Sequence, residues 1–501
     1  MLKKAALFLA FLMIVLAGFY ATGYRIALDG GSRPRFVWRK PDYEALEADR
    51  ARQRASAAQQ PTARTERSPT PSPGPADRAP DAPDRGPEKP ALPDAKAAAT
   101  AATAASTAVA ITAARRGDWP DFRGPHRDGR YDATPIRTDW PREGLPQLWK
   151  QPIGLGYASF VVAGGRAFTI EQRRQQEVVA AYDVDTGREL WTHGWTAAFT
   201  EVLGGDGPRA TPTYHDGRVY ALGALGELEC LDARSGALVW RRNILADNGA
   251  SNLQWGMSAA PLIVDDKVVV LPGGPNGKSV VAYHRLTGEP VWSSLDDPQA
   301  YTSPMLVTIG GLRQILVVTG RRAAGLTVNE GRLLWEYPWV TQQAISVAQP
   351  LLLGHDRVFL SAGYGHGAAV FEVSPGDNSF TARTIWENTR MKNKFTSSVL
   401  YQGFIYGLDE AILACVDAAT GELKWKGGRY GYGQLLLAGD RLIVLTEDGD
   451  IAMVKATPER YEQDARFPAI DGKTWNHPVI ADGRLIVRNL REMAAFDIRP
   501  R

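Results

Sequence analysis

A turn of the form Asp-x-x-Thr/Ser-Gly-x-x-x-Trp recurs along this chain, and no other feature restricts the fold as much. The copies read DVDTGRELW (183–191), DARSGALVW (232–240), HRLTGEPVW (284–292), VNEGRLLW (328–335) and DAATGELKW (417–425). Alternating strand-like runs, split by Asp-Gly-Arg-Val-type hairpins, precede each turn, and the unit repeats at a period of about 40 to 50 residues, as the blades of a β-propeller do. Thr-Gly or Ser-Gly supplies the positive φ that the turn demands, and the Asp bonds the turn's own amides. The Trp four residues after the Gly points toward the neighbouring blade, where one large aromatic covers an apolar seam. Trp149, Trp191, Trp240, Trp292, Trp335, Trp386 and Trp425 are therefore read as framework residues.

Strand runs begin near Ser159, Ala210, Ala259, Thr302, Ala348, Thr396, Gly433 and Trp475, which predicts eight blades. The last run has three strands and ends before any Gly-x-x-x-Trp, whereas LPQLWKQPI (145–153) is a strand with no inner partners of its own. Pairing the second into the first closes the ring and removes two sheet edges at once. The expected fold is all-β, an eight-bladed propeller closed by an N-terminal strand.

On these repeats the chain resembles the quinoprotein-like propellers with PQQ-type repeats, the group that includes the BamB lipoproteins and the PQQ-dependent alcohol dehydrogenases. The stretches DWPDFRGPHRDG (118–129), GYASFVVAGGRAFTIEQR (156–173) and GKTWNHPVIADGRLIVRNLREMAAFDI (472–498) are similar to a narrower group of bacterial PQQ-like propeller proteins. Likeness to the dehydrogenases implies a disulfide between adjacent cysteines, an acidic Ca²⁺ site and an Asp base. This chain has two cysteines, Cys230 and Cys415, at equivalent positions of separate blades, and it has neither a Cys-Cys pair nor a Cys-x-x-Cys-His haem motif. Both are read as small buried apolar residues. No catalytic or metal-ligating residue is assigned, and PQQ stands as the one cofactor the resemblance suggests.

The chain divides into a signal-anchor (1–24), a partly helical juxtamembrane stretch (25–60), a Pro/Ala-rich linker (61–115) and the propeller (116–501). Residues 5–23 form an uncharged apolar run behind Lys3 and Lys4, which predicts a single span in the inner membrane with the propeller on the periplasmic side. Phe19 follows Leu16-Ala17-Gly18 where a lipidated Cys would stand, so an uncleaved anchor is expected over acylation, with cleavage near Ala17 or Ala21 as the alternative. Residues 41–60 have helix-forming composition with a thin apolar stripe, suited to a solvated helix or to a partner. Residues 61–114 lack aromatics and read as a disordered tether, which at about 3 Å per residue reaches on the order of 100 Å. A net charge of +3 with interspersed signs gives no nucleic-acid footprint.

The starts of the inner strands gather at one mouth of the central channel. Arg209, Trp255, Ser258, Thr302, Lys394, Arg429, Trp475, Asn476 and His477 are the candidate ligand residues there, joined by Tyr157, Ser159, Thr211, Ser303, Ser346, Gln349, Ser397, Tyr430 and Tyr432, with Glu171 and Gln172 one strand further on. Cations beside indoles suit a flat anionic ligand, and the competing reading has these side chains plugging the channel. Two functions follow: an envelope-facing scaffold for protein partners, or an oxidoreductase with a divergent active site.

Overall fold

The structure is a computed structural model that describes residues 24–28, 34–38, 43–59, 117–376 and 379–501, with isolated positions 13, 15 and 18. The expected anchor and linker lie outside these residues, and no described helix is long and apolar enough to cross a membrane. Eight antiparallel sheets form the ring: blade 1 spans 161–196, blade 2 213–243, blade 3 262–294, blade 4 305–338, blade 5 351–388, blade 6 399–429, blade 7 434–468 and blade 8 479–497. As expected, blade 8 takes its fourth strand from Gln147–Pro152, which pairs antiparallel with Glu492–Asp497. Blade 7 gains a fifth strand, Arg130–Tyr131, parallel to its inner edge at Leu437 and Ala438.

The repeated Trp ties each blade to the next through its ring nitrogen. Nε1 donates to a backbone carbonyl in the neighbouring turn: Trp149 to Val184 (3.0 Å), Trp191 to Ala233 (3.1 Å), Trp240 to Arg285 (2.9 Å), Trp292 to Val328 (3.2 Å), Trp386 to Ala418 (3.0 Å) and Trp425 to Thr457 (2.7 Å). The turn Gly is needed twice over. It holds a positive φ, and a Cβ at Gly187, Gly236, Gly288, Gly331 or Gly421 would come within 2.4–2.8 Å of the preceding blade's indole. Trp335 departs from the pattern because blade 5 has no Thr-Gly turn to receive it. Its Nε1 donates instead to Gln314 Oε1 of its own blade at 2.7 Å, and its ring meets Phe371 of blade 5 edge-on. Blade 7 has Ala465 where the others carry Trp, and Trp140 of the lead-in packs into the same apolar cluster. Cys230 and Cys415 are buried free thiols directly across the ladder from Trp240 and Trp425, where a small residue leaves room for the indole.

Helix α1, Tyr43–Gln59, was expected to be solvated or to meet a partner, and it lies along the seam between blades 8 and 1. Leu46, Glu47, Arg50, Gln53, Arg54 and Ala57 are covered while the positions between them are exposed, a spacing that marks one docked face. That face is held by polar contacts. Arg54 pairs with the fully buried Glu189, and Gln53 Oε1 accepts the Glu189 amide at 2.9 Å. Beneath them Glu171 is fully buried. Burial alone would raise its carboxyl, but Arg173, Arg50, Arg488 and the Gly154 amide outweigh that and hold it down to about 2.

Candidate functional site

Residues 117–131, polar and rich in arginine, form the channel's plug. Trp119 bridges Val162 by two backbone bonds of 2.8 Å, which starts the segment into the ring. Arg127, 2% exposed, donates to the carbonyls of Ala260 (3.2 Å), Pro304 (2.7 Å) and Pro261 and forks onto Asp121 (2.9 and 2.7 Å). Arg123, 1% exposed, donates to the carbonyls of Ser398 (2.7 Å) and Asp128 (3.1 Å). Both arginines sit in the left-handed region, φ 62° and 56°, which a non-glycine residue holds only when its surroundings over-determine it. The carbonyls satisfied here end the approach to the inner strands, where no ladder partner exists.

Above the plug, the mouth is a cup of about 460 Å³ whose lining includes Phe122 from the plug and His477 from blade 8. His477 is 4% exposed; its Nδ1 donates to Pro478 O at 2.7 Å and its Nε2 faces Arg123 at 3.5 Å. Burial first, and the Arg123 charge second, push its imidazole down to about 3, so it is neutral. Because the folded value lies below the unfolded one, its contribution to stability is present above about pH 6.5 and is lost as pH falls toward 3. His477→Gln is expected to flatten the stability profile across that window, read by denaturant midpoints at successive pH values; a profile with the parent slope would show that the imidazole carries no such penalty.

The walls are aromatic and cationic. Lys394 Nζ lies 4.3 Å from the ring of Tyr432, 4.9 Å from Tyr364 and 5.4 Å from Phe395. Among the described residues no carboxylate lies within ion-pair distance of it. Lys473 covers Trp475 at 3.7 Å, and Trp475 stacks on Tyr157 at 5.2 Å. Arg209 lies over Phe199 at 4.5 Å and donates to Gly205 O at 2.6 Å, so it braces the 199–208 loop as well as lining the cup. Trp255 tilts against Tyr301 at 5.8 Å.

Of the residues singled out from the sequence, Arg209, Trp255, Ser258, Lys394, Trp475 and His477 line the cup together, with Tyr157, Thr211, Ser303 and Ser397. Three of the candidate ligand residues do not. Thr302 is fully buried and donates to Ser346 O at 2.9 Å. Asn476 is fully buried and ties blade 8 to blade 1 through Gly156 O and Ala158 O. Arg429 is exposed at the end of the outer strand Leu423–Arg429. Successive residues of an extended segment face opposite ways, so a start that aims Ser303 at the cup turns Thr302 away from it. Trp255 and Trp475 are half-exposed walls rather than plugs; the plugging is done by Arg123 and Arg127. Sequence reading missed Tyr301, Tyr364 and Phe395 of the lining, Lys473 over the Trp475 ring and the plug itself, although FRGPHRDG was the visible signal for the last.

Among the described residues the cup is lined by no Asp or Glu, and no group of three or more His, Cys, Asp or Glu is placed to hold a metal ion. Its residues fit the charge and flatness of a quinone polyanion such as PQQ, but its donor set does not fit a divalent ion bridged to that quinone.

The model of the outer membrane protein assembly factor BamB family matches residues 174–427, half of the chain. The BamB of Burkholderia pseudomallei is 24% identical over 372 residues, covering 65% of this chain and 92% of its own. Among solved structures, BamB of Moraxella catarrhalis superposes with a TM-score of 0.52 at 16% identity, over 71% of this chain and all of that one. A europium-containing methanol dehydrogenase superposes at 0.57 with 12% identity, over 77% of this chain and 98% of that one. Likeness at these identities speaks for the fold alone. By its family model and its repeats, the chain belongs to the PQQ-type β-propeller family described as the outer membrane protein assembly factor BamB.

Proposed function

We propose that the chain is a binding or assembly scaffold of the cell envelope, anchored in the inner membrane by residues 5–23 with its propeller on the periplasmic side, and meeting protein partners at the channel mouth. The observation that carries this reading is the mouth itself. It is a cup with aromatic walls, lined by Leu203 and Gln342, and the chain next to these two exposes Val202 (81% exposed) on one loop and Val340 (68%) on another. Exposed apolar groups around a pocket are the usual mark of a protein-binding surface. The assembly role in the relatives' name points the same way.

A second reading, a PQQ-related oxidoreductase, is favoured by Lys394, Arg209 and Trp475 around the cup and opposed by its lack of lining carboxylates. Two measurements separate the readings. The scaffold should give no alcohol-dependent dye reduction with PQQ and Ca²⁺, and should co-purify from membranes with a protein partner that Val202→Asp/Val340→Asp releases. Turnover with a simple alcohol, or a partner indifferent to both changes, would overturn the scaffold reading at this mouth. On PQQ titration, Lys394→Ala is expected to weaken binding by roughly 2- to 30-fold while leaving the melting temperature within about a degree, because a cation beside aromatic faces contributes roughly 0.5–2 kcal/mol to a ligand and little to packing. Equal affinity in parent and variant would remove Lys394 from the site.

A further inference from the structure

We infer that α1 is a cis clasp on the ring's closing seam, so that residues 60–116 leave and rejoin one body instead of separating two. Three observations carry it. The covered face of α1 runs Glu47, Arg50, Gln53 and Arg54, spaced as one face of a helix, and each of these side chains meets the ring. Arg50 is 4% exposed, which on a helix so polar means that a cavity in the ring receives it. It also touches both sides of the seam, 3.4 Å from Pro152 O in the closing strand and 3.9 Å from Glu189 in blade 1.

The closing strand reaches its blade from the far end of the domain and is that blade's outer strand, so its release would open the ring between blades 8 and 1. Arg50 and Arg54 bind from the outside, against carboxylates already balanced by Arg173 and Arg488. The ring thus keeps its charge balance when the helix leaves, and the contact is built to be reversible. On the tethered reading proposed above, the span and the propeller are then separated by residues 24–42 and not by the Pro/Ala-rich stretch; the clasp itself does not depend on that reading.

Hydrogen exchange of the full chain tests the clasp. The amides of 43–59 should exchange at least about 100-fold more slowly than in the isolated peptide, which is the protection expected of docked and not fraying helix. Arg50→Glu/Arg54→Glu should erase that protection and speed exchange in 147–152 by roughly tenfold or more, with blades 3 to 6 unchanged; Arg50→Gln/Arg54→Gln serves if the charge reversal does not fold. Peptide-like exchange of 43–59 in the parent would overturn the clasp, and so would loss of helix protection with 147–152 unaffected, since α1 would then be a passenger. Energy transfer between dyes at Ser56→Cys and Thr196→Cys, both exposed and undisturbed by the buried Cys230 and Cys415, should occur within one molecule. Transfer only between mixed, singly labelled copies would mean docking in trans and would also overturn it. A scaffold that fails its own partner test leaves every one of these readouts intact, so the two can fail separately.

Discussion

Deleting residues 145–153 is expected to abolish the single cooperative melting transition of the ring. The segment carries the outer ladder of blade 8, from Pro152 opposite Glu492 to Gln147 opposite Phe496. It also carries Trp149, 7% exposed, whose indole packs on Gly187 and bonds Val184 O in blade 1. Loss of one buried Trp alone costs about 3–5 kcal/mol, a large share of the roughly 5–15 kcal/mol that stabilises a domain. The deletion would add to this an open edge and a severed ring. Calorimetry should show a broad, low-enthalpy transition, whereas removing residues 71–100 should leave the midpoint nearly unchanged. If the two deletions melt alike, ring closure by this strand contributes nothing.

Arg127→Ala should be the most damaging single substitution in the plug, by about 3–5 kcal/mol. It strips Asp121 of its forked partner and leaves the carbonyls of Ala260, Pro261 and Pro304 facing an empty axis. Lys should not rescue it, because a single ammonium cannot span three carbonyls and a carboxylate at once. Asp121→Ala on the Arg127→Ala background should recover part of the loss, since both buried charges are then gone. Urea titrations with unchanged slope would give the numbers, and a loss under about 1 kcal/mol for Arg127→Ala would mean that water replaces the guanidinium without cost.

The ring was legible because propeller blades repeat their turn chemistry: the Asp183, Asp232 and Asp417 turns bond their own amides as the residue pattern requires. Closure was legible for a bookkeeping reason, a strand lacking partners at one end and a blade lacking a strand at the other. The docking of α1 was not, because four of the six covered residues are Arg, Glu and Gln, beside Leu46 and Ala57, and hydrophobic periodicity is blind to such a face. The cup was half legible. Inner-strand starts located the right loops, but which of two adjacent residues points inward depends on register, and so Ser303 and His477 were placed well while Thr302 and Asn476 were not. Tyr364 enters from a hairpin between the second and third strands of blade 5, a part of the blade the strand starts do not sample.

The plug has a consequence for how this ring can change over generations. Arg127 reaches the inner edges of blades 2, 3 and 4, and Arg123 reaches those of blades 6 and 8. Two side chains of fixed reach thereby measure the distance across the axis. A ring with one blade more or fewer would carry those carbonyls away from both guanidiniums. Open solenoids lengthen by copying a unit because each unit touches only its neighbours. Here the axial segment touches several units at once, so a blade cannot be duplicated or lost unless residues 117–131 change with it: the chain carries its own calibre.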